Sequence, residues 1–141
     1  MATKKLDELR TAVRARGLRA TPSRLAVLAL LRASAQPVSH AEVTARLTDG
    51  GWDPATLYRN LIDFTEVGLV RRTDLGDHVW RFEVVHGDHD TTAHPHFVCI
   101  ECGAIECLLA SELVIGRAKA PRAVRQRQVE VRVRGVCDAC A

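Results

Sequence analysis

Apolar residues recur three and four positions apart through the first 70 residues and then switch to alternation, which predicts helices followed by strands. Leu6, Leu9 and Val13 form one face of a first helix that Gly17 stops. Thr21 and Pro22 suit the N-cap and first turn of a second helix, with Leu25, Leu28 and Leu31 as its buried stripe. Pro37 ends that stretch. Ser39 and Glu42 read as a capping box for a third helix carrying Val43 and Leu47, and Gly50-Gly51 breaks the chain again. Asp53 then caps a fourth helix with Pro54 at its first position, Leu57, Leu61 and Phe64 inside and Gly68 at its C-terminal end.

Past Gly68 the period falls to two. Leu69-Val70 and Val79 to Val85 read as strands around the turn Asp74 to Asp77, the signature of a β-wing. Trp80, Phe82 and Val84 share one face of the second strand, leaving Val79, Arg81 and Glu83 on the other. Residues 86–93 are polar and contain Gly87, the composition of a hinge. Beyond it come short strands around 96–100 and 104–109, an ambiguous stretch 110–124, and the alternation Val129, Val131, Val133 ending at Gly135. The pattern predicts an α+β chain: a winged helix-turn-helix over 1–85, a hinge over 86–93 and a small α/β domain over 94–141.

A length of 141 residues leaves no room for a large catalytic architecture. No apolar run approaches the roughly 18 residues a membrane span needs, so the expectation is a soluble, cytoplasmic protein with no membrane partner. The net charge of +3 is unevenly placed: residues 1–85 hold thirteen basic and ten acidic residues, and the remainder seven of each. With Leu57, Leu61 and Phe64 inward, Thr56, Arg59, Asn60 and Asp63 are expected outward on the fourth helix, flanked by Tyr58. Arg59 can fork onto guanine or phosphate, Tyr58 can stack on a base, and Arg19, Arg24, Lys4 and Lys5 can neutralise phosphates. Composition alone fits a solvated helix face equally well; the wing and the capped helices favour double-stranded DNA.

Four of the five cysteines form two Cys-x-x-Cys pairs, Cys99/Cys102 and Cys137/Cys140, each beside a strand. Four thiolates suit a closed tetrahedral Zn²⁺ site better than disulfides in a cytosolic chain. His94 and His96 fall on one side of an extended strand and Cys99 on the other, so histidines and thiolates are expected to serve separate metals. Glu83, Cys107 and His40 are the candidates to complete the histidine site, a mixed donor set that suits Fe²⁺, Mn²⁺ or Zn²⁺.

The chain resembles the ferric uptake regulator (Fur) superfamily. The motifs that carry the resemblance are Gly17-Leu-Arg-Ala-Thr-Pro-Ser-Arg24, Ala55-Thr-Leu-Tyr-Arg-Asn-Leu61 with Gly68-Leu-Val70, Arg81-Phe-Glu83, His94-Pro-His-Phe-Val-Cys-Ile-Glu-Cys-Gly103 and Gly135-Val-Cys-Asp-Ala-Cys140. The resemblance implies a homodimeric repressor of palindromic operators, with Cys99, Cys102, Cys137 and Cys140 on structural zinc and Tyr58 and Arg59 at DNA. Glu83, His94 and His96 match ligands of a regulatory site between the domains. Two positions depart from the family: Pro37 stands where a histidine is usual, for which His40 is the expected substitute, and Cys107 stands where Asp or Glu is usual. The resemblance ranks iron first as the regulatory metal, zinc next and peroxide sensing third. A zinc-stabilised module that no longer senses metal is the alternative that Pro37 and Cys107 favour. An enzyme using a His/Glu zinc centre or Cys107 as a peroxidatic thiol lacks a second base and a His-Glu-x-x-His run, and no small-molecule substrate is expected.

Overall fold

The structure is a computed structural model describing residues 2–85, 95–108, 119–126 and 131–141. The segment expected to be a hinge, His94, Val129 and most of the stretch 110–124 lie outside the described residues. The chain divides into two compact units, Met1–Val85 and His86–Ala141.

In the first unit, helix α1 (Ala2–Ala15) ends in a Schellman turn. Gly17, at φ +79°, lets the Leu18 N–H reach Val13 O at 3.3 Å while its own N–H reaches Arg14 O at 2.9 Å. The Thr21 hydroxyl accepts the Arg24 N–H to start α2 (Pro22–Ala33). After the short strand β1 (Val38–Ser39), Ser39 and Glu42 close a complete capping box over α3 (His40–Arg46). A single 3₁₀ turn at Thr48–Gly50 leads to α4 (Pro54–Glu66), capped by Asp53, whose Oδ1 accepts the Thr56 N–H at 2.7 Å. Helix α4 ends as α1 does: Gly68 has φ +77°, and the Leu69 N–H reaches Phe64 O at 3.0 Å.

These caps aim the apolar stripes at one another. Leu9 and Val13 of α1, Leu25, Val27, Leu28 and Leu31 of α2, Val43 of α3, and Leu57, Leu61 and Phe64 of α4 form one core. Leu6, expected on that stripe, is 36% exposed, because α1 buries its apolar side only through the turns that carry Leu9 and Val13.

Strands β2 (Val70–Asp74) and β3 (Trp80–Val84) form the antiparallel wing, and β1 pairs with the other edge of β3. Phe82 and Val84 lie in the core, but Trp80, expected with them, is 47% exposed. It sits at the tip end of the hairpin, where the Arg72 guanidinium covers its ring at 4.5 Å. Asp74 Oδ1 organises the tip by accepting the Gly76 and His78 N–H groups at 2.8 and 3.1 Å, and His78 turns through φ +60°.

In the second unit, β4 (His96–Cys99) is the centre of a three-stranded sheet. On one side it pairs antiparallel with β5 (Ile105–Cys107), and on the other parallel with β6 (Arg132–Gly135). One helical turn, α5 (Arg122–Arg125), precedes β6. The strand expected over 104–109 is therefore three residues long. Phe97 lies over Gly135, where an added Cβ would approach the ring to 3.3 Å.

Candidate metal centres and nucleic-acid interface

Strands β4 and β6 run parallel, and their C-terminal ends, side by side, each deliver one cysteine knuckle. In the first, the Cys99 N–H bonds Ala104 O at 2.8 Å and the Gly103 N–H bonds Cys99 O at 3.0 Å, with Gly103 at φ +74° making the turn. In the second, the Cys140 N–H bonds Cys137 O at 3.0 Å. Because Cys99 pairs with Gly135, the second knuckle begins two residues past the point where β6 lies beside the first.

The result is a cluster in which the Sγ atoms of Cys99, Cys102, Cys137 and Cys140 all lie within 4.8 Å of one another. Cys102 Sγ and Cys137 Sγ are 3.7 Å apart. That separation is far beyond a disulfide, and all four cysteines are free thiols. It fits instead the edge of a tetrahedron whose Zn–S bonds are about 2.3 Å, an edge of about 3.8 Å. The donors therefore fit a structural Zn²⁺ in number, type and spacing.

Electrostatics prepares one of the four. Backbone N–H groups, first that of Cys102 and then that of Cys137, hold the Cys99 thiol down at about 6; the latter N–H lies 3.4 Å from the sulfur. Hydrogen bonding with Cys137, and next with Cys102, pushes Cys140 up to about 12. One thiolate is thus favoured by the knuckle's own amides, while four together require a cation among them.

The second group of expected ligands is distributed over both units. His96 and Cys107 stand directly opposite each other on β4 and β5, with their ligating atoms within 4.8 Å. His96 is buried and Cys107 half-buried. On the wing, Glu83 stands opposite Arg71, with 3.9 Å between carboxylate and guanidinium. The imidazole and thiolate donors fit a divalent transition ion. Arg71 beside Glu83 is a partner that the sequence did not announce.

His40 sits elsewhere. Its Nε2 is 2.8 Å from Pro54 O, and its ring stands edge-on to Tyr58 with centroids 5.3 Å apart. A carbonyl can only accept, so Nε2 carries the proton and is not available to a metal while that bond stands.

Helix α4 sends Tyr58 and Arg59 to the surface, Tyr58 44% exposed, with Thr56 half-buried and Arg19 exposed before α2. Three expectations for the DNA-facing surface are corrected. Asn60 is only 6% exposed, and its Nδ2 donates to Ser23 Oγ at 3.0 Å. One position before Leu61 and three after Leu57, it falls on the side of α4 that meets α2. Arg24 is not a free cation for phosphate, because it bonds Asp63 Oδ2 at 2.7 Å and Arg19 O at 3.0 Å. Asp63 is therefore drawn inward as well.

The model of the ferric uptake regulator family matches residues 15–133. The chain is 33% identical over 130 residues to the ferric uptake regulation protein of Legionella pneumophila, covering 88% of this chain and 92% of that one. It is 34% identical over 102 residues to the peroxide-responsive repressor PerR of Staphylococcus saprophyticus, covering 71% of this chain and 66% of that protein's length. The crystal structure of the Vibrio cholerae ferric uptake regulator superposes with a TM-score of 0.65 at 26% identity, covering 91% of this chain and 98% of that one.

Proposed function

The chain belongs to the ferric uptake regulator family of metal-responsive transcription regulators, and on that premise we propose that it is a repressor, acting in the cytoplasm as a homodimer on a palindromic operator. It is not an enzyme. The observation that supports this reading is the build of α4: a capped helix held from within by Leu57, Leu61 and Phe64 that sends Tyr58 and Arg59 outward. An aromatic ring and a guanidinium side by side on a rigid helix suit a major groove, the ring for base stacking or a thymine methyl, the fork for guanine or phosphate. Thr56, Arg19, Lys4 and Lys5 add hydroxyl and phosphate contacts. Arg24 and Asn60 serve by fixing α2 against α4.

The regulatory ion in this reading is Fe²⁺ or Zn²⁺, with Mn²⁺ as a weaker competitor, and its ligands are Glu83, His94, His96 and Cys107. When bound, it supplies a positive centre with ligands on both sides of residues 86–93. That favours one orientation of the two units, the one in which two reader helices fit one operator. The coupling is reciprocal, so DNA tightens metal binding by the factor by which metal tightens DNA binding. The structural zinc is a separate ion, on the four cysteines.

Protein retaining its cysteine-bound zinc, titrated with duplexes in the presence of Fe²⁺, Mn²⁺ or Zn²⁺, tests the switch. A specific duplex should bind at least tenfold more tightly with the effective ion. Equal affinity with and without every ion would reject metal control. The 34% identity to a peroxide-responsive repressor supports a second reading, in which peroxide ends repression. It requires an iron-loaded complex that peroxide releases from DNA.

A further inference from the structure

His40 opens α3, yet it is bonded to the first turn of α4. Its Nε2 donates to Pro54 O at 2.8 Å, with Thr44 Oγ1 at 3.3 Å sharing the same donor. In α-helical geometry that carbonyl also receives the N–H of the residue four positions on, which is Tyr58. The imidazole meets Tyr58 a second time, ring against ring, at 5.3 Å between centroids and 71° between planes, the edge-to-face arrangement that aromatic quadrupoles favour. An exposed tyrosine on a helix would otherwise divide its time among staggered rotamers. Here one residue holds both the backbone turn that carries Tyr58 and the ring itself.

We infer that His40 is a positioning residue for DNA recognition, setting the Tyr58 ring and the first turn of α4 for the groove, and that it takes no part in metal binding. The inference rests on the reading of α4 as the reader helix. It gives His40 a role opposite to the one expected from its place near Pro37. The effect should fall on specific binding, because the phosphate-contacting side chains are untouched.

The test uses full-length, metal-loaded protein and a duplex selected by the wild type from a random pool. His40→Ala and His40→Gln should each weaken binding to that duplex roughly two- to tenfold, the scale of one aromatic pair, and leave binding to an unrelated duplex unchanged. In a Tyr58→Ala background the same changes should cost nothing further. Tyr58 is the only tyrosine, so a ¹³C-tyrosine label gives one ring signal, which should shift in both His40 variants of the free protein. Metal content per protomer should stay at the wild-type value. Wild-type affinity in the His40 variants, with Tyr58→Ala still weakened, would overturn the inference alone. Wild-type affinity in Tyr58→Ala would overturn the DNA-contact reading of that residue and the inference with it. Loss of one metal in both His40 variants would return His40 to the ligand set.

Discussion

Asn60 Nδ2 donates to the hydroxyl of Ser23 at 3.0 Å, joining α4 to α2 by a buried polar bond. Both residues are under 10% exposed, so neither partner has water to fall back on. Asn60→Ala is expected to lower unfolding free energy by about 1–3 kcal/mol, the cost of losing a buried hydrogen bond and leaving the Ser23 hydroxyl only its longer 3.4 Å contact with Thr21 Oγ1. Urea unfolding of the variant gives the number. An unchanged midpoint combined with weakened DNA binding would return Asn60 to the groove.

Cys102→Ser should remove the structural zinc and, with it, the second unit. Structural zinc sites supply on the order of 10 kcal/mol of folding free energy, comparable to the whole stability of a small domain. Zinc released per protomer should fall by one equivalent, and residues 95–141 should become protease-sensitive while 2–85 resist. A zinc-free variant with wild-type protease resistance would contradict the structural role.

Acid should loosen the start of α4. The Asp53 carboxylate accepts the Thr56 N–H, and that bond holds it below its ordinary value of 3.8. A carboxylate depressed by folding contributes stability that is full above its unfolded value and fades as pH falls through the folded one. The Thr56 amide resonance should therefore be constant at neutral pH and move only below about pH 4, in the ordinary carboxylate range. Asp53→Asn keeps the cap without the charge and should abolish that movement; a variant that titrates like the wild type would assign the change elsewhere.

Cys107→Asp should shift metal preference away from zinc. Exchanging a thiolate for a carboxylate hardens the donor set, so the ratio of Mn²⁺ to Zn²⁺ dissociation constants should fall about tenfold or more. Competition against a chromophoric chelator measures both constants on protein that keeps its four-cysteine zinc. An unchanged ratio would remove Cys107 from the regulatory ligands.

The fold was written locally wherever a cap or a glycine decides it. Thr21, Ser39 with Glu42, Asp53, Gly17 and Gly68 all act within five residues of themselves, and all perform as their positions in the chain foretell. The cysteine site was legible for a related reason: two short spacings and four identical side chains admit few arrangements. What escaped were contacts decided by a neighbour distant in sequence. Asn60 looks like a groove residue until Ser23, 37 positions earlier, is placed against it. Arg24 looks like a phosphate clamp until Asp63 is placed beside it, and His40 like a ligand until its Nε2 is seen bonded to Pro54 O. Periodicity tells which side of a helix is apolar; it does not tell where an adjoining helix overlaps the polar border.

Strand β4 has partners on both edges, and on the proposed reading this sets an order of events for the two metals. A slip by one residue would turn His96 to the opposite face, away from Cys107, and would at the same time draw Cys99 away from Cys137. A zinc ion on the four cysteines would therefore act as a register pin for the strand that carries His96. On the proposed reading, filling of the thiol site would precede any response at the histidine, and a cell short of zinc would lose the strand alignment before the regulatory ion is consulted.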